Sequence, residues 1–397
     1  MRIVHLIEGQ SPQATPTTLA MLATAMGRLG SIEQHVLLLG GAALRRAAAR
    51  AGLHVDRRNV HLMGVPFGRA MLGWPAVMRR LRQWQPIDVV HCWSAGSLSL
   101  AALALREVPR VMTVTSEPDE RTTHWFRTLS REVTRIGGAA TAFLPISATL
   151  RRALLTRGVA EEAVQVLRPG IDMGRIDTSQ RAALRKRWGI PPADDQRTKV
   201  IALLSDRPEE ADAVRTALMA GIAEEVTGPL EWRVAMHPGA RHRLRAQHML
   251  GKTRGPDRII SEPAMTAPWS VLSGCDVALA CGNAGGGLSL LWAMAANIPI
   301  VGEATYAISE IVEDRHSALL SKPDVIKETV KRLTRVVGDP QLAWKLRDTA
   351  RHEAYSFFSR QRYCQSLQQV YEQLSQGSPI HVPDLEPTGG LRFTGRA

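Results

Sequence analysis

The sequence predicts an α/β chain of two domains, each a parallel sheet wrapped by crossover helices, and three observations carry that expectation. Its 397 residues exceed one ordinary core and suit two domains of roughly 150 to 200 residues. Short β-branched or Leu-rich runs alternate with longer Ala/Leu/Arg segments at helical spacing, the pattern of strands joined by crossover helices. The alternation then starts afresh after the polar, Pro-containing stretch from Trp188 to Thr198.

In the first series, strands are expected at Ile3 to Ile7, His35 to Leu39, Val89 to His91, Arg110 to Thr115 and Ala142 to Ile146. Between the first two, Leu19, Leu22, Ala23, Met26 and Leu29 form a one-sided stripe, so a helix is expected from Thr17 to Leu29, with Gly30 as its stop. The second series places strands at Val200 to Leu204, Glu231 to Met236, Arg258 to Ser261, Val277 to Ala280 and Ile298 to Val301. From Ser356 a helix follows with Phe357, Phe358, Tyr363, Leu367, Val370, Tyr371 and Leu374 on its apolar side. The expected organisation is a first domain over 1–175, a second over 176–356, a closing helix over 357–376 and a flexible tail over 377–397. Two similar sheets make the cleft between them the default ligand site.

With 45% hydrophobic and 22% charged residues, the composition excludes a largely disordered chain. The net charge of +13 is uneven: residues 1–180 hold 22 basic and 13 acidic side chains, and Arg45, Arg46, Arg50, Arg57, Arg58, Arg69, Arg79, Arg80 and Arg82 crowd one stretch. Such a field attracts phosphate-rich partners, although an Arg-rich composition with no partner explains it equally well. No nucleic-acid partner is expected, since aromatics are only 5% and no recognition motif appears. From Gly68 to Trp84, apolar Met71, Leu72, Trp74, Val77, Met78, Leu81 and Trp84 interleave with arginines. That suits an amphipathic surface touching anionic membrane, or an ordinary helix buried on one side. The N-terminal apolar run is too short for a secretory signal, and no run approaches the roughly 20 apolar residues of a membrane span. A cytoplasmic chain, peripheral at most on the inner face of the membrane, is the expectation. Four cysteines without a CxxC pair or a Cys/His cluster indicate neither a zinc site nor a disulfide framework.

The segment richest in chemistry runs from Cys281 to Ala295, where Asn283, Gly285, Gly286 and Gly287 link an expected strand to an expected helix that opens with Leu288. Consecutive glycines let the backbone approach a ligand closely, and the amides at a helix start are donors aimed at an anion. A diphosphate is the natural guest, and a tight strand-to-helix turn is the purely structural alternative. The P-loop pattern is excluded, because its Lys and Ser/Thr are missing.

The run Leu290-Leu291-Trp292-Ala293-Met294-Ala295-Ala296-Asn297-Ile298-Pro299-Ile300-Val301, followed by Ser309-Glu310-Ile311-Val312, resembles the donor-site signature of family-4 retaining glycosyltransferases of the GT-B fold. Asp88-Val89-Val90-His91, the stretch from Val166 to Asp172, and Ser273-Gly274-Cys275-Asp276-Val277 are similar to further segments of that family. The resemblance spans residues 1 to about 376 and implies two facing Rossmann-like domains with a cleft between them. It also implies transfer of a sugar from a UDP- or GDP-type nucleotide sugar, with retention and without a metal or other cofactor, to an acceptor the sequence does not reveal. Under it, the donor-binding set is Arg207, Asn283, Gly285, Gly286, Gly287, Leu288, Trp292 and Glu310, and the acceptor-side set is Gly9, His91 and Ser94. A core histidine is the plainer alternative at His91.

The departures from the family fall at the chemistry. Its two Glu residues, eight apart, correspond here to Ala284 and Trp292, and an indole donates but does not accept. At the family's catalytic His stand Thr115 or Ser116, so no catalytic residue is assigned. No Lys follows Arg207, and Arg241, Arg243 and Arg245 are candidate replacements or a solvated basic face. Losing one charge-stabilising donor commonly costs about 3 kcal/mol, roughly a hundredfold in rate. The second expectation is therefore a catalytically degenerate homologue that binds or scaffolds in envelope or polysaccharide assembly.

Overall fold

The fold was taken from a computed structural model, which describes residues 1–8, 15–26, 32–53, 59–63, 74–118, 120–132, 140–190, 192, 196–204, 210–228, 230–236, 259–261, 272–281 and 287–382. The chain divides into two compact units. Unit 1 comprises Met1–Gly170 with Arg360–Asp384, and unit 2 comprises Ile171–Ser359.

Unit 1 is built on six parallel strands: β1 (Arg2–Glu8), β2 (Glu33–Leu39), β3 (Val60–Met63), β4 (Val89–Cys92), β5 (Arg110–Val114) and β6 (Thr141–Pro145). They lie in the order β3-β2-β1-β4-β5-β6. Their interiors are buried almost throughout, because helices cover both faces of a parallel sheet and near-continuous apolar runs result. One face packs against α3 (Trp74–Gln83), α4 (Ala95–Ala104) and α5 (Glu120–Glu132), with Val4, Leu6, Val77, Leu81, Val90, Leu98 and Phe126 in one core. The same unit contains α1 (Thr15–Ala25), α2 (Ala42–Arg50) and α6 (Ala148–Thr156).

Unit 2 repeats the scheme with β7 (Thr198–Leu204), β8 (Glu231–Met236), β9 (Ile259–Ser261), β10 (Val277–Ala280), β11 (Ile300–Glu303) and β12 (Leu319–Ser321), in the order β12-β11-β10-β7-β8-β9. Chain order and spatial order are related as in unit 1, so both sheets reverse direction between their first and fourth strands. The helices are α7 (Arg181–Arg187), α8 (Glu210–Thr227), α9 (Leu288–Ala295), α10 (Tyr306–Ser309), α11 (Ile326–Gly338) and α12 (Pro340–Phe357). Thr329, Val330, Leu333 and Val336 give α11 its buried stripe, and Asp339 caps α12 by accepting from the Leu342 amide, with Pro340 in the first turn. Every residue of α9 is buried.

The expected strands all form, with ends shifted by one or two residues, and two further strands appear. Both β3 and β12 are short edge strands of four and three residues, too brief to show a period. The first helix occupies Thr15–Ala25, and its expected stop at Gly30 lies outside the described residues. The helix expected from Ser356 instead starts after a break at Phe358: α12 ends at Phe357, and α13 (Arg360–Ser375) follows. Helix α13 belongs to unit 1, so the chain returns to its first sheet after building the second. From Pro75 to Trp84 the amphipathic segment is an ordinary domain helix, with Val77, Leu81 and Trp84 in the core and Arg79 and Arg82 exposed. Among the described residues no helix is long and apolar enough to cross a membrane.

At the N-terminal edge of the second sheet, Arg185 is 2% exposed and carries a full charge. Its guanidinium donates to Asp276 Oδ2 at 3.0 Å, to the Gly274 carbonyl at 3.1 Å and to the Thr198 carbonyl at 2.5 Å. Asp276 also accepts from Arg181 at 2.7 Å and from the Val200 amide at 2.8 Å, so one carboxylate joins α7, β7 and the entry to β10. Asp276→Ala removes the carboxylate that Arg181 and buried Arg185 share and should destabilise the chain by about 3–5 kcal/mol, read as a lowered midpoint in urea unfolding.

Candidate active site

In a doubly wound sheet the loops leaving adjacent strands diverge where the strand order reverses, and the gap outside the carboxyl ends is where ligands sit. In unit 2 that point lies between β7 and β10, and in unit 1 between β1 and β4.

The glycine segment follows β10 and opens α9, which puts it at the reversal of the second sheet. Cys281 is buried at the strand exit, and Asn283, Gly285 and Gly286 lie outside the described residues, as do Arg207, Arg241, Arg243 and Arg245. Gly287 is the N-cap of α9 with φ of 78°, a left-handed conformation that disfavours any side chain. A Cβ there would also overlap Ile311 Cδ1. Gly287 is therefore required by packing and backbone alike, and Leu288 begins the helix fully buried. Trp292 is 6% exposed on the second turn of α9. Glu310 follows the single turn of α10, whose N-cap Thr305 accepts from the Ile308 amide, and it is half-buried ahead of buried Ile311 and Val312.

At the reversal of the first sheet, β1 ends at Glu8, and β4 runs through Trp93 and Ser94 into α4. Gly9 lies outside the described residues. Ser94 and Ser97 form a reciprocal capping box that starts α4 with the serine hydroxyls buried. Thr115 and Ser116 leave the end of β5 half-buried, next to Glu117, which is ion-paired with Arg157.

The sequence set His91 and Ser94 on the acceptor side, and the structure gives both interior work. His91 is fully buried: its Nδ1 lies 2.6 Å from the Tyr371 hydroxyl and its Nε2 2.8 Å from Thr113 Oγ1. Since Tyr371 belongs to α13, this histidine ties the C-terminal helix to the first sheet. Beside it, the Trp93 indole donates to His5 Nδ1 at 3.2 Å. An indole only donates, so His5 carries its proton on Nε2 and donates to Gln34 Oε1 at 3.0 Å. His5, His91, Trp93 and Tyr371 thus form one interior aromatic cluster, with the rings of His91 and Trp93 stacked at 4.3 Å. The long separation between His91 and Tyr371 hid this pairing from any local pattern.

Two family models match the chain: Glycosyltransferase Family 4 over residues 16–175, and Glycosyl transferases group 1 over residues 250–353. The chain belongs to the family-4 glycosyltransferases. Solved structures agree on the GT-B fold. HepE of Anabaena, crystallised with UDP and glucose, shares 16% identity at a TM-score of 0.72, covering 95% of this chain and 100% of that one. A glycosyltransferase from Rickettsia africae shares 11% identity at a TM-score of 0.70, over 95% and 99% of the two chains. Sucrose-phosphate synthase of Thermosynechococcus elongatus shares 13% identity at a TM-score of 0.66, over 95% and 100%. No curated protein sequence matches the chain. Trp292, which the sequence resemblance sets at the family's second signature Glu, is a buried side chain.

Two outcomes follow for this family member. Gly287→Ala adds a Cβ at a positive φ against Ile311 and should cost about 1–3 kcal/mol. Because Ile311→Val removes the obstructing methyl, the same change in that background should cost measurably less in a double-mutant cycle of urea midpoints. Burial lowers the pKa of His5 from its ordinary 6.5 to about 4, and that of His91 well below its ordinary value. The unfolded chain therefore takes up these protons first. Stability should be complete above about pH 6.5 and fall by about 1.4 kcal/mol per pH unit per histidine as pH drops towards 4. Urea unfolding at pH 7.5, 6 and 5 measures that slope.

Proposed function

We propose that this chain transfers a hexosyl group from a nucleoside diphosphate sugar, of UDP or GDP type, to a hydroxylated acceptor. The observation that carries the reading is the place of the glycine turn: it leaves β10 at the reversal of the second sheet and enters a helix of eight residues. Amides at such a turn, Gly285, Gly286 and Gly287 among them, suit the diphosphate, with Arg207 as the cation and Leu288, Asn283 and Glu310 completing the donor contacts. HepE was crystallised with UDP-glucose, which supports a uridine donor. Unit 1 presents the acceptor, and its Arg-rich surface suits an anionic membrane that carries lipid-linked acceptors. A retaining reaction without a metal follows the family, and Thr115 and Ser116 stand where the family has its catalytic His.

Trp292 favours a second reading, a binding or scaffold protein that has lost transfer. A buried indole has no acceptor for ribose hydroxyls, so a donor contact that the resemblance implies would be missing. Calorimetry with UDP-, GDP- and ADP-sugars, joined to a transfer assay with the same donors, separates the two. Heat with UDP-glucose and measurable glucosyl transfer or hydrolysis is the expected outcome. Heat without turnover selects the scaffold, and no heat from any donor rejects both.

A further inference from the structure

At the reversal of the first sheet one carboxylate sits against the start of a helix. Glu8 is the last residue of β1, two positions beyond Leu6, where pairing with β4 ends. Alternation along the strand points it to the same face as Val4 and Leu6, towards α4. There the first turn of α4 carries Gly96, and a Cβ at that position would overlap the Glu8 carboxylate. The helix therefore leaves a notch that the carboxylate fills. Burial alone raises its pKa, and it makes no ion pair or hydrogen bond with any described residue. Half-burial of a carboxylate carries a desolvation cost, which the start of α4 beside it offsets in part and no ion pair with a described residue answers.

Its neighbours are otherwise engaged. The hydroxyls of Ser94 and Ser97 are held in the capping box, and the Trp93 indole donates to His5. Burial pushes the Cys92 thiol up to about 12, so it stays neutral. A cation is a poor occupant, because among the described residues no three His, Cys, Asp or Glu side chains gather to hold a metal. An ionised carboxylate accepts hydrogen bonds on two oxygens, which matches the paired donors of adjacent sugar hydroxyls.

Resting on the reading that unit 1 presents the acceptor, we propose that Glu8 binds the acceptor, accepting hydrogen bonds from adjacent hydroxyls of a hexose at the carboxyl end of β1. The test uses the full chain with methyl glycosides of glucose, galactose, mannose and N-acetylglucosamine as probes in saturation-transfer NMR, beside thermal melts. At least one glycoside should bind wild type. Its affinity should weaken at least tenfold in Glu8→Gln and vanish in Glu8→Ala, while the melting temperature of Glu8→Gln stays level or rises. Three results overturn the proposal: no glycoside contact in wild type, equal contact in both variants, or a melting temperature several degrees lower in Glu8→Gln, which would make Glu8 a structural cap. UDP calorimetry on wild type is read separately. Its failure beside a Glu8-dependent sugar signal would reject the donor reading and leave the Glu8 assignment standing.

Discussion

Both units depend on one constraint: a parallel sheet wound outward in two directions from its first strand must part its connections between the first and fourth strands. Neighbouring strands elsewhere send their loops the same way and fill the edge of the sheet. At the reversal they diverge, and the main-chain amides that open the next helix have no strand or loop above them. In this chain the second reversal receives a glycine turn, and the first receives Glu8 and a serine-capped helix. The proposed diphosphate contact at one reversal and the proposed sugar contact at the other would thus rest on the same geometry through different groups.

The supporting structure is polar where polarity is needed to hold elements that are distant in sequence. Asp276 fastens α7 to β7 and the entry to β10 in the middle of the second sheet, and His91 fastens α13 to the first. Both interactions lie inside the protein, where a satisfied polar network is directional in a way apolar packing is not. The arrangement has a consequence for acid: burial disfavours the charged forms of His5 and His91.

Much of the fold was legible from periodicity. Ten strands could be read because buried parallel strands are continuous apolar runs, and the two that escaped are edge strands paired on one side only. The site was legible in part. Gly287 stands out as the last glycine of a strand-to-helix junction, and its left-handed backbone against Ile311 gives it a structural reason to be there. Glu8 did not, since an acid at the end of an apolar run reads as a strand terminus, and only the notch at Gly96 shows that the fold makes room for it. In the sequence His91 stays open between the acceptor side and the core, because a histidine at a strand end looks the same whether it faces a cleft or a helix that arrives 280 residues later.

By itself, the sequence determined two Rossmann-like sheets, the glycine turn between a strand and a helix, and kinship with family-4 glycosyltransferases, since strand period, turn chemistry and motif spacing are all local. Tertiary structure alone decided the rest. It settled the order of strands within each sheet, the return of α13 to the first unit, the interior roles of His91 and Ser94, and the place of Glu8 against the start of α4. Each of these turns on which surfaces meet across long stretches of chain, and burial, not residue identity, sets what a carboxylate or an imidazole can do there.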